Sequence, residues 1–385
     1  MIRYGKQDID ESDIEAVTCV LNSGWLTQGP TVPAFEKAIT DYCGSNFGVA
    51  VNSGTSALHV ACLALGLGPG DWLWTSPNTF VASANCGQYC GANVDFVDID
   101  PRTYNISIEA LTAKLEKAIY SGKLPKIVIP VHFAGQSCDM SGIKTLADKY
   151  GFKIIEDACH ALGGRYKDHP VGSCHYSDIA VFSFHPVKSI TTGEGGMAVT
   201  NSEELATRMR RASTHGITRE SELMTQEPEG SWCYQQMELG FNYRMTDIQA
   251  ALGISQLQRL NLFIQKRQKL SERYNRLLSS HPVTLPYQHP ETDSAWHLYV
   301  VRLKLDEIKK DRKKVFEQMR NQDIGVNVHY IPVHTQPYYR ALGFRKGDFG
   351  EAERYYSEAL SLPLYPSLEK NQVDKIVNAL ELILK

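Results

Sequence analysis

The sequence predicts an α/β protein with a mostly parallel seven-stranded sheet, helices on both of its faces, and a smaller C-terminal α+β domain. Two patterns lead to this prediction. Short, nearly continuous apolar runs alternate with helical patterns through the first two thirds of the chain, which is typical of parallel strands covered on both sides. The alternation then stops, and 385 residues leave room for a second domain.

Seven apolar runs supply the strands of the predicted sheet. They are rich in Val, Ile and Phe, as expected of buried strands. In chain order the runs cover residues 47–52, 71–76, 94–99, 126–133, 152–157, 178–184 and 197–200. The helical patterns that accompany them cover residues 55–66, 79–91, 106–119, 141–151 and 203–212. These helices would lie on the two faces of the sheet.

A long helical pattern begins at Thr246, and we expect it to link two domains. The predicted organisation is a large domain over 1–245 that includes the N-terminal segment, a linking helix over 246–280 and a small domain over 281–385. Within the small domain the sequence predicts strands at 297–303 and 326–331, a helix at 312–322 and two C-terminal helices. The polar, acidic stretch 219–231 is predicted to be an exposed loop.

Composition and charge argue against several classes of protein. A formal net charge of -3 offers no basic footprint for nucleic acid or for an anionic membrane. The 9 cysteines are an odd number without framework spacing, which indicates reduced thiols. Cys86 and Cys90 have no second Cys or His cluster near them, so no metal site is expected. The polar N-terminus and the short apolar runs lead us to expect a cytoplasmic protein without a membrane span.

Chemically useful side chains follow the ends of several predicted strands. In an open parallel sheet, ligands bind beyond the carboxyl ends of the strands. The residues at these ends are Asn52 to Thr55, Pro77 to Phe80, His132, Asp157, and Ser183 to His185 before Lys188. We therefore expect a lysine, a carboxylate, an aromatic ring and a helix start rich in small hydroxyl residues at one edge of the sheet.

Lys188 is the most unusual of these residues, because it lies between a buried apolar run and a glycine-rich turn in SFHPVKSITTGEGG. Each residue also has an ordinary explanation: Lys188 could extend to solvent, Phe80 could be a core residue, and Asp157 could form an ion pair. Likewise, Ser and Thr are common helix caps. Together, however, they match pyridoxal 5′-phosphate, which needs an attachment lysine, a carboxylate at its ring nitrogen, a phosphate-binding helix start and a stacking ring.

Three motifs occur in a recognisable order along the chain. They are E-D-A-x-H-A-x-G at 156–163, S-F-H-x-x-K-x-I-T-T-G-E-G-G at 183–196 and G-F-N-Y-R-M-T-D-I-Q-A-A-L-G at 240–253. Together they resemble the DegT/DnrJ/EryC1/StrS sugar aminotransferases, and the likeness extends from LTQGP at 26–30 to HYIPVH at 329–334. The resemblance implies a fold-type I pyridoxal-phosphate enzyme that adds an amino group to a nucleotide-linked keto sugar.

The resemblance also implies a role for each matched residue. Lys188 would be the catalytic lysine that attaches the cofactor, Asp157 would face the pyridinium nitrogen, and Phe80 would stack on the ring. His160 stands where many relatives have Gln, and it would hydrogen-bond near the phenolic oxygen. The cofactor's phosphate would be held by Gly54, Thr55, Ser56 and Ser183, and by Asn242 of the partner subunit.

Other matched segments would contact the nucleotide sugar. The implied contact residues are Tyr4, Gly24, Trp25, Leu26, Thr27, Gly54, Ser183, Asn242, Asn327, Val328, His329 and Tyr330. Because Asn242 would reach across to the other subunit, the resemblance implies a homodimer with shared active sites. L-glutamate would be the amino donor, and pyridoxamine phosphate would carry the amino group between the two half-reactions.

Within the family, three segments look most like the enzymes of pseudaminic acid biosynthesis, namely LNSGWLTQG at 21–29, NCGQYCGANVDFVDID at 85–100 and VNVHYIPVHTQPYY at 326–339. This likeness implies that the acceptor is C4 of UDP-2-acetamido-2,6-dideoxy-β-L-arabino-hexos-4-ulose. One alternative is a transaminase of a D-series UDP- or dTDP-4-keto-6-deoxy sugar, and a remote one is a non-catalytic, cofactor-binding regulatory protein. A sugar 3-dehydratase would need a histidine in place of Lys188, and an amino-acid aminotransferase would need an arginine fork.

Overall fold

The computed structural model describes all 385 residues. The strands are β1 (Phe47–Val51), β2 (Trp72–Thr75), β3 (Asn93–Phe96), β4 (Ile127–Ile129), β5 (Lys153–Asp157), β6 (Arg165–Tyr166), β7 (His169–Pro170), β8 (Ile179–Ser183), β9 (Gly196–Thr200), β10 (Ile217–Thr218), β11 (Gln235–Gln236), β12 (Val283–Thr284), β13 (Thr292–Asp293), β14 (Tyr299–Leu303) and β15 (Ala359–Leu362).

The helices flank these strands and fill the C-terminal part of the chain. They are α1 (Glu11–Leu21), α2 (Thr31–Cys43), α3 (Gly54–Ala64), α4 (Ala82–Tyr89), α5 (Ile108–Ser121), α6 (Met140–Tyr150), α7 (Glu203–Ser213), α8 (Asp247–Gln258), α9 (Leu260–Leu278), α10 (Arg312–Asn321), α11 (Pro337–Ala341), α12 (Gly350–Glu358) and α13 (Lys370–Leu384). No helix combines the length and the apolar composition that a bilayer crossing requires.

The central sheet has seven strands in the spatial order β1-β9-β8-β5-β4-β2-β3. All neighbouring strands run parallel except β9, which is antiparallel to both β1 and β8. The predicted mostly parallel seven-stranded sheet is therefore confirmed. The reversed strand matters for the site, because Gly196 at the start of β9 pairs with both Val51 and Ser183. The ends of β1 and β8 are thereby brought to the same edge of the sheet.

The small domain has a separate apolar core. It is built from α9, α10, α13 and the antiparallel sheet β12-β14-β15, and its buried residues include Tyr274, Tyr299 and Leu380. Ile2 packs in this core, although the N-terminal segment was predicted as part of the large domain. The amide of Ile2 donates to Asp323 at 2.7 Å, and the amide of Gly325 donates back to Ile2 at 2.6 Å. The burial of Ile2 in this core gives the physical reason.

The linking segment is two helices, α8 and α9, rather than the single helix expected over 246–280. They meet at Arg259, whose guanidinium forms ion pairs with Asp8, Asp10 and Asp13. The two helices pack on different partners, since α8 lies against α1 and α2 whereas α9 packs against α13. A break at Arg259 lets each half follow the domain that it covers.

Residues 326–331 do not form the expected strand. Only Asn327 makes an isolated bridge, to Ser361. The amides beyond it bond to side chains, from Val328 to Asn327 Oδ1 at 2.8 Å and from Tyr330 to Asn78 Oδ1 at 3.3 Å. Because these amides are used locally, the segment can direct its side chains into a cavity instead of a sheet.

Candidate active site

A cavity of about 950 Å³ lies at the carboxyl edge of the central sheet, between the two domains. Its walls are the start of α3, the first turn of α4, the end of β5, the turn after β8 and the segment 327–330. The sequence-predicted residues that line it are Tyr4, Gly54, Thr55, Ser56, Phe80, Asp157, His160, Ser183, Lys188, Asn327, Val328, His329 and Tyr330. Residues far apart in the chain are thus gathered around one space.

The start of α3 forms one end of the cavity. Ser53 caps the helix, since its hydroxyl accepts the amide of Ser56 at 3.1 Å. Gly54 and Thr55 follow as the first helical residues, whose amides have no acceptor within the helix. A Cβ on Gly54 would lie 2.8 Å from the Cβ of Ser183, so only glycine allows α3 to approach β8 this closely. Free amides, hydroxyls and a positive helix end make this a place for a phosphate.

Asp157 ends β5 and is held by two hydrogen bonds. Ser83 Oγ donates to its Oδ2 at 2.6 Å, and the amide of Cys159 donates to its Oδ1 at 3.2 Å. The carboxylate is buried, so it has no competing water shell. A fixed, buried carboxylate without a basic side chain bonded to it is suited to pair with a cationic ligand atom such as a protonated ring nitrogen.

Lys188 lies in the turn after β8, where its amide donates to the carbonyl of His185 at 2.9 Å. Its side chain lines the cavity instead of extending to solvent. Burial lowers the pKa of Lys188, and the neighbouring Cys159 and Asp157 oppose this shift. A larger share of neutral amine at physiological pH makes the lysine both a nucleophile and a base.

Three histidines line the side of the cavity that faces the small domain. His160 Nε2 lies 3.1 Å from the hydroxyl of Tyr330, and the rings of His160 and His297 are 4.3 Å apart. Burial, followed by the nearby charge of Lys188, lowers the pKa of His329 to about 3 and that of His160 well below its usual value. These imidazoles are therefore neutral and can exchange hydrogen bonds with an uncharged ligand.

Phe80 stands at the mouth of the cavity. Its side chain is 58% exposed, and its ring lies 6.3 Å from that of Tyr330. The interpretation of Phe80 as a core residue is therefore wrong. An exposed aromatic ring beside a cavity gains contact area when a flat ligand lies against it.

Five of the predicted residues lie outside this cavity in the single chain. Asn242 and Thr27 line a separate cavity of about 600 Å³, together with Arg244. Gly24, Trp25 and Leu26 are exposed, with Trp25 59% and Leu26 45% accessible. Two apolar side chains exposed side by side are available for contact with another surface.

Several cavity residues received no role from the sequence, although Ser53 and Thr79 lie in the stretches 52–55 and 77–80 that were expected at this edge of the sheet. Cys159 and His297 line the cavity, and Ser53, Thr79 and Ser83 support it. Ser53 had a signal, because it directly precedes a helix start and occupies the N-cap position. Ser83 had no such signal, because its contact with Thr79 depends on the turn that precedes α4. His297 comes from the small domain, and no local pattern places it near Lys188.

The residues present fit pyridoxal phosphate. The Nδ1 atoms of His160 and His297 are buried without a hydrogen-bond partner, and such atoms cost about 1–3 kcal/mol unless a ligand or water meets them. The start of α3 would hold the phosphate, Asp157 the ring nitrogen, and Lys188 the aldehyde carbon. This fold with this site defines a pyridoxal-phosphate-dependent transferase.

The chain belongs to the DegT/DnrJ/EryC1/StrS aminotransferase family, whose sequence model matches residues 7–381. The spore coat polysaccharide biosynthesis protein SpsC of Bacillus subtilis is 40% identical over 385 residues, covering 99% of this chain and 97% of that protein. The Streptococcus pneumoniae protein Spr1654, solved in a PMP form, superposes with a TM-score of 0.91 at 30% identity, over 100% of this chain and 99% of that one.

A second solved structure is Helicobacter pylori PseC, an aminotransferase involved in the biosynthesis of pseudoaminic acid. It superposes with a TM-score of 0.91 at 30% identity and covers 100% of this chain and 99% of its own. The family, the fold and the cofactor inferred from the sequence are confirmed. The protein is a pyridoxal-phosphate-dependent sugar aminotransferase.

Proposed function

We propose that this aminotransferase transfers the amino group of L-glutamate to C4 of UDP-2-acetamido-2,6-dideoxy-β-L-arabino-hexos-4-ulose. The product would be UDP-4-amino-4,6-dideoxy-N-acetyl-β-L-altrosamine, which belongs to pseudaminic acid biosynthesis. The observation that carries the proposal is the likeness to Helicobacter pylori PseC over the whole chain. The segments 85–100 and 326–339 support it, because the second of them supplies four residues of the cavity wall.

We call Lys188, Asp157, Phe80 and the start of α3 the cofactor half of the cavity, and each of them would have its own task. The cofactor supplies an electron sink that allows a C–H bond beside nitrogen to break. Lys188, neutral for part of the time, would take the proton from Cα of glutamate and later deliver a proton to C4 of the sugar. Asp157 would keep the ring nitrogen protonated, and the start of α3 would anchor the phosphate. Two half-reactions at one lysine imply ping-pong kinetics.

We call Tyr4 and residues 327–330 the sugar half of the cavity, and their side chains have the polarity expected for binding an uncharged ring. Asn327, His329 and Tyr330 offer neutral donors and acceptors, and Tyr4 lines the same cavity. His329 is held by Ser361, whose hydroxyl is 2.8 Å from its Nδ1. Neutral groups of this kind suit the acetamido and hydroxyl groups of an N-acetyl sugar.

We further propose a homodimer in which each subunit completes the other's site. In one chain Asn242 and Thr27 line a different cavity from Lys188. The exposed Trp25 and Leu26, next to Thr27, provide an apolar surface for a second copy. A two-fold arrangement would allow residues 24–27 and Asn242 of one chain to approach the Lys188 cavity of its partner.

The decisive experiment compares sugar epimers. Purified enzyme receives glutamate with either the L-arabino keto sugar or its D-xylo epimer at C5, and kcat/KM is measured for each. A misplaced methyl group should cost the D-xylo sugar ~1–3 kcal/mol, and a tilted C4 can add a further ~100-fold. The glutamate half-reaction without sugar is the control, since its rate does not depend on the sugar. Equal or better use of the D-xylo sugar would overturn the proposed substrate.

A second candidate is a D-series UDP- or dTDP-4-keto-6-deoxy sugar. The 40% identity with SpsC, a spore coat polysaccharide biosynthesis protein, favours keeping this candidate. The same assay with dTDP-linked 4-keto sugars distinguishes it, because NMR of the product identifies the sugar and the configuration of the new amine. An enzyme that aminates none of these sugars, yet still completes the glutamate half-reaction, would contradict both candidates.

A further inference from the structure

Asp157 is supported by a chain of two buried hydroxyl groups to which the proposed function gives no role. Ser83 Oγ donates to Asp157 Oδ2 at 2.6 Å, and Thr79 Oγ1 lies 2.8 Å from Ser83 Oγ. Ser83 is 0% exposed and Thr79 2% exposed. Bulk water therefore does not reach these two hydroxyls. Thr79 Oγ1 has Ser83 as its partner, and Ser83 Oγ has only one further contact, a longer one of 3.4 Å to the carbonyl of Phe80.

Both hydroxyls belong to the segment that also presents Phe80. Thr79 lies in the segment just before α4 and Ser83 is the second residue of that helix, and the turn between them brings their hydroxyls within 2.8 Å of each other. Phe80, between them in sequence, points to the mouth of the cavity and is largely exposed. One short segment therefore touches the carboxylate at the ring nitrogen and places an aromatic side chain where the cofactor ring would lie.

We propose that Ser83, supported by Thr79, is a positioning residue of this aminotransferase that holds Asp157 in the orientation needed to meet the cofactor's ring nitrogen. The amide of Cys159 fixes Oδ1 of the carboxylate, and Ser83 fixes Oδ2. With both oxygens fixed, the carboxylate plane cannot rotate. Hydrogen bonds to an ionised carboxylate are stronger than those between neutral groups, so losing one has a large effect on orientation.

Three variants separate the hydroxyl from its packing. Ser83→Ala removes the donor to Asp157, whereas Ser83→Thr keeps a hydroxyl and adds a methyl group. Thr79→Val removes the second hydroxyl at nearly constant size. The matched control is Thr75→Val on β2, since Thr75 is also 0% exposed and donates to the carbonyl of Ile129 at 2.8 Å. It loses the same kind of buried hydrogen bond without contacting Asp157.

The first readout is the environment of the ring nitrogen, measured by NMR with ¹⁵N-labelled pyridoxal phosphate bound to each variant. For Ser83→Ala we expect the chemical shift to move part of the way towards that of Asp157→Asn. We also expect the dissociation constant of pyridoxal phosphate to rise about tenfold, the effect of one lost hydrogen bond to a charged group. Thr79→Val should change both in the same direction but less.

The second readout is kinetic. Ser83→Ala should lower kcat about tenfold and leave the KM of the sugar nearly unchanged, because the affected group serves the cofactor. Ser83→Thr should restore the ¹⁵N shift even if its added methyl group lowers the melting temperature. A wild-type ¹⁵N shift in Ser83→Ala, or an equal change in Thr75→Val, would overturn the proposed role of Ser83. Both of these outcomes concern the ¹⁵N shift, which is measured without sugar and therefore does not depend on the sugar that the enzyme uses.

Discussion

The two halves of the cavity are built in different ways. The cofactor half comes from strand ends of a single chain, with Asp157 buried and Lys188 half-buried in the turn between β8 and β9. The sugar half is divided, because Asn327 to Tyr330 line the cavity whereas residues 24–27 and Asn242 lie elsewhere on the same chain. Lys188, Asp157 and the start of α3 therefore lie together in one chain, whereas the predicted sugar contacts are divided, as is the phosphate contact predicted for Asn242.

This difference separates two physical requirements. Proton transfer needs groups held rigidly in a water-poor place, and buried strand ends provide such positions. Recognition of one sugar among many can use exposed segments, which change without disturbing a core. The cofactor half should therefore respond to substitutions by losing chemistry, and the sugar half by changing selectivity or by depending on the partner subunit.

The largest expected effect is that of Lys188→Ala, which tests whether the cofactor half depends on one amine. We expect turnover to fall to background and no covalent attachment of the cofactor, because the phosphate and ring contacts remain but the nucleophile is gone. Borohydride reduction followed by mass spectrometry of the intact chain measures attachment. Lys117→Met, on the exposed surface of α5, is the control that keeps both properties. Attachment at wild-type level in Lys188→Ala would refute the assignment.

A smaller loss is expected for Asp157→Ala. Removing the carboxylate takes away a main electrostatic contributor, for which a fall in kcat of at least ~100-fold is expected. The glutamate half-reaction should slow to a similar extent, because the ring nitrogen acts in both halves. Stopped-flow absorbance of the cofactor with glutamate alone measures this step. A rate near that of the wild type would show that another group protonates the ring.

Much of the fold follows from local patterns in the sequence. The seven strands of the central sheet are near-continuous apolar runs, and their mostly parallel arrangement follows from the helices between them. The reversed direction of β9 has no local signal, because it depends on pairing with β1 and β8. The break at Arg259 likewise reflects contacts with Asp8 and Asp13, which are distant in sequence.

The residues of the site also differ in whether a local sequence pattern predicts their position. Asp157 and Ser183 could be predicted because they end apolar strands, and Lys188 because it lies in the turn after one, since the geometry of a parallel sheet brings such ends together. His297 could not, because it comes from the other domain. Asn242 was predicted only by resemblance, and a single chain cannot complete the contact that the resemblance implies. Local sequence therefore specifies the cofactor half better than the sugar half.

The next prediction tests whether Asn242, expected to contact the cofactor's phosphate and the sugar, acts in the site of the partner subunit. Lys188→Ala and Asn242→Ala chains, each inactive alone, are mixed in equal amounts, unfolded and refolded. If Asn242 serves the partner's site, a heterodimer contains one site with both defects and one intact site. Random pairing makes about half of the dimers mixed, so about one quarter of the wild-type activity should return.

The control for this experiment is a mixture of Lys188→Ala with Asp157→Ala. Both residues belong to the same chain's cavity, so no mixed dimer contains an intact site and no activity should return. Native mass spectrometry shows whether heterodimers have formed. Heterodimers without recovered activity in the Asn242→Ala mixture would place Asn242 in its own subunit's site, and the contrast between the two halves would then lose its structural basis.

The smallest expected effect concerns stability and tests the cost of enclosing Lys188. Burial lowers the pKa of this amine in the folded protein below that of an unfolded lysine, which is about 10.4. The unfolded chain therefore binds more protons between these two pKa values, and stability should rise with pH across that interval.

Lys188→Met removes the charge at similar length, so the cofactor-free variant should be more stable than the wild type at pH 7. The difference should shrink as the pH approaches ~10, where the lysine is neutral in the folded state. Urea unfolding at the two pH values measures it, with the exposed Lys117→Met as the control in which no gain is expected. A gain of equal size at both pH values would attribute the effect to packing instead of charge, and a loss at pH 7 would show that the ammonium of Lys188 stabilises the empty site.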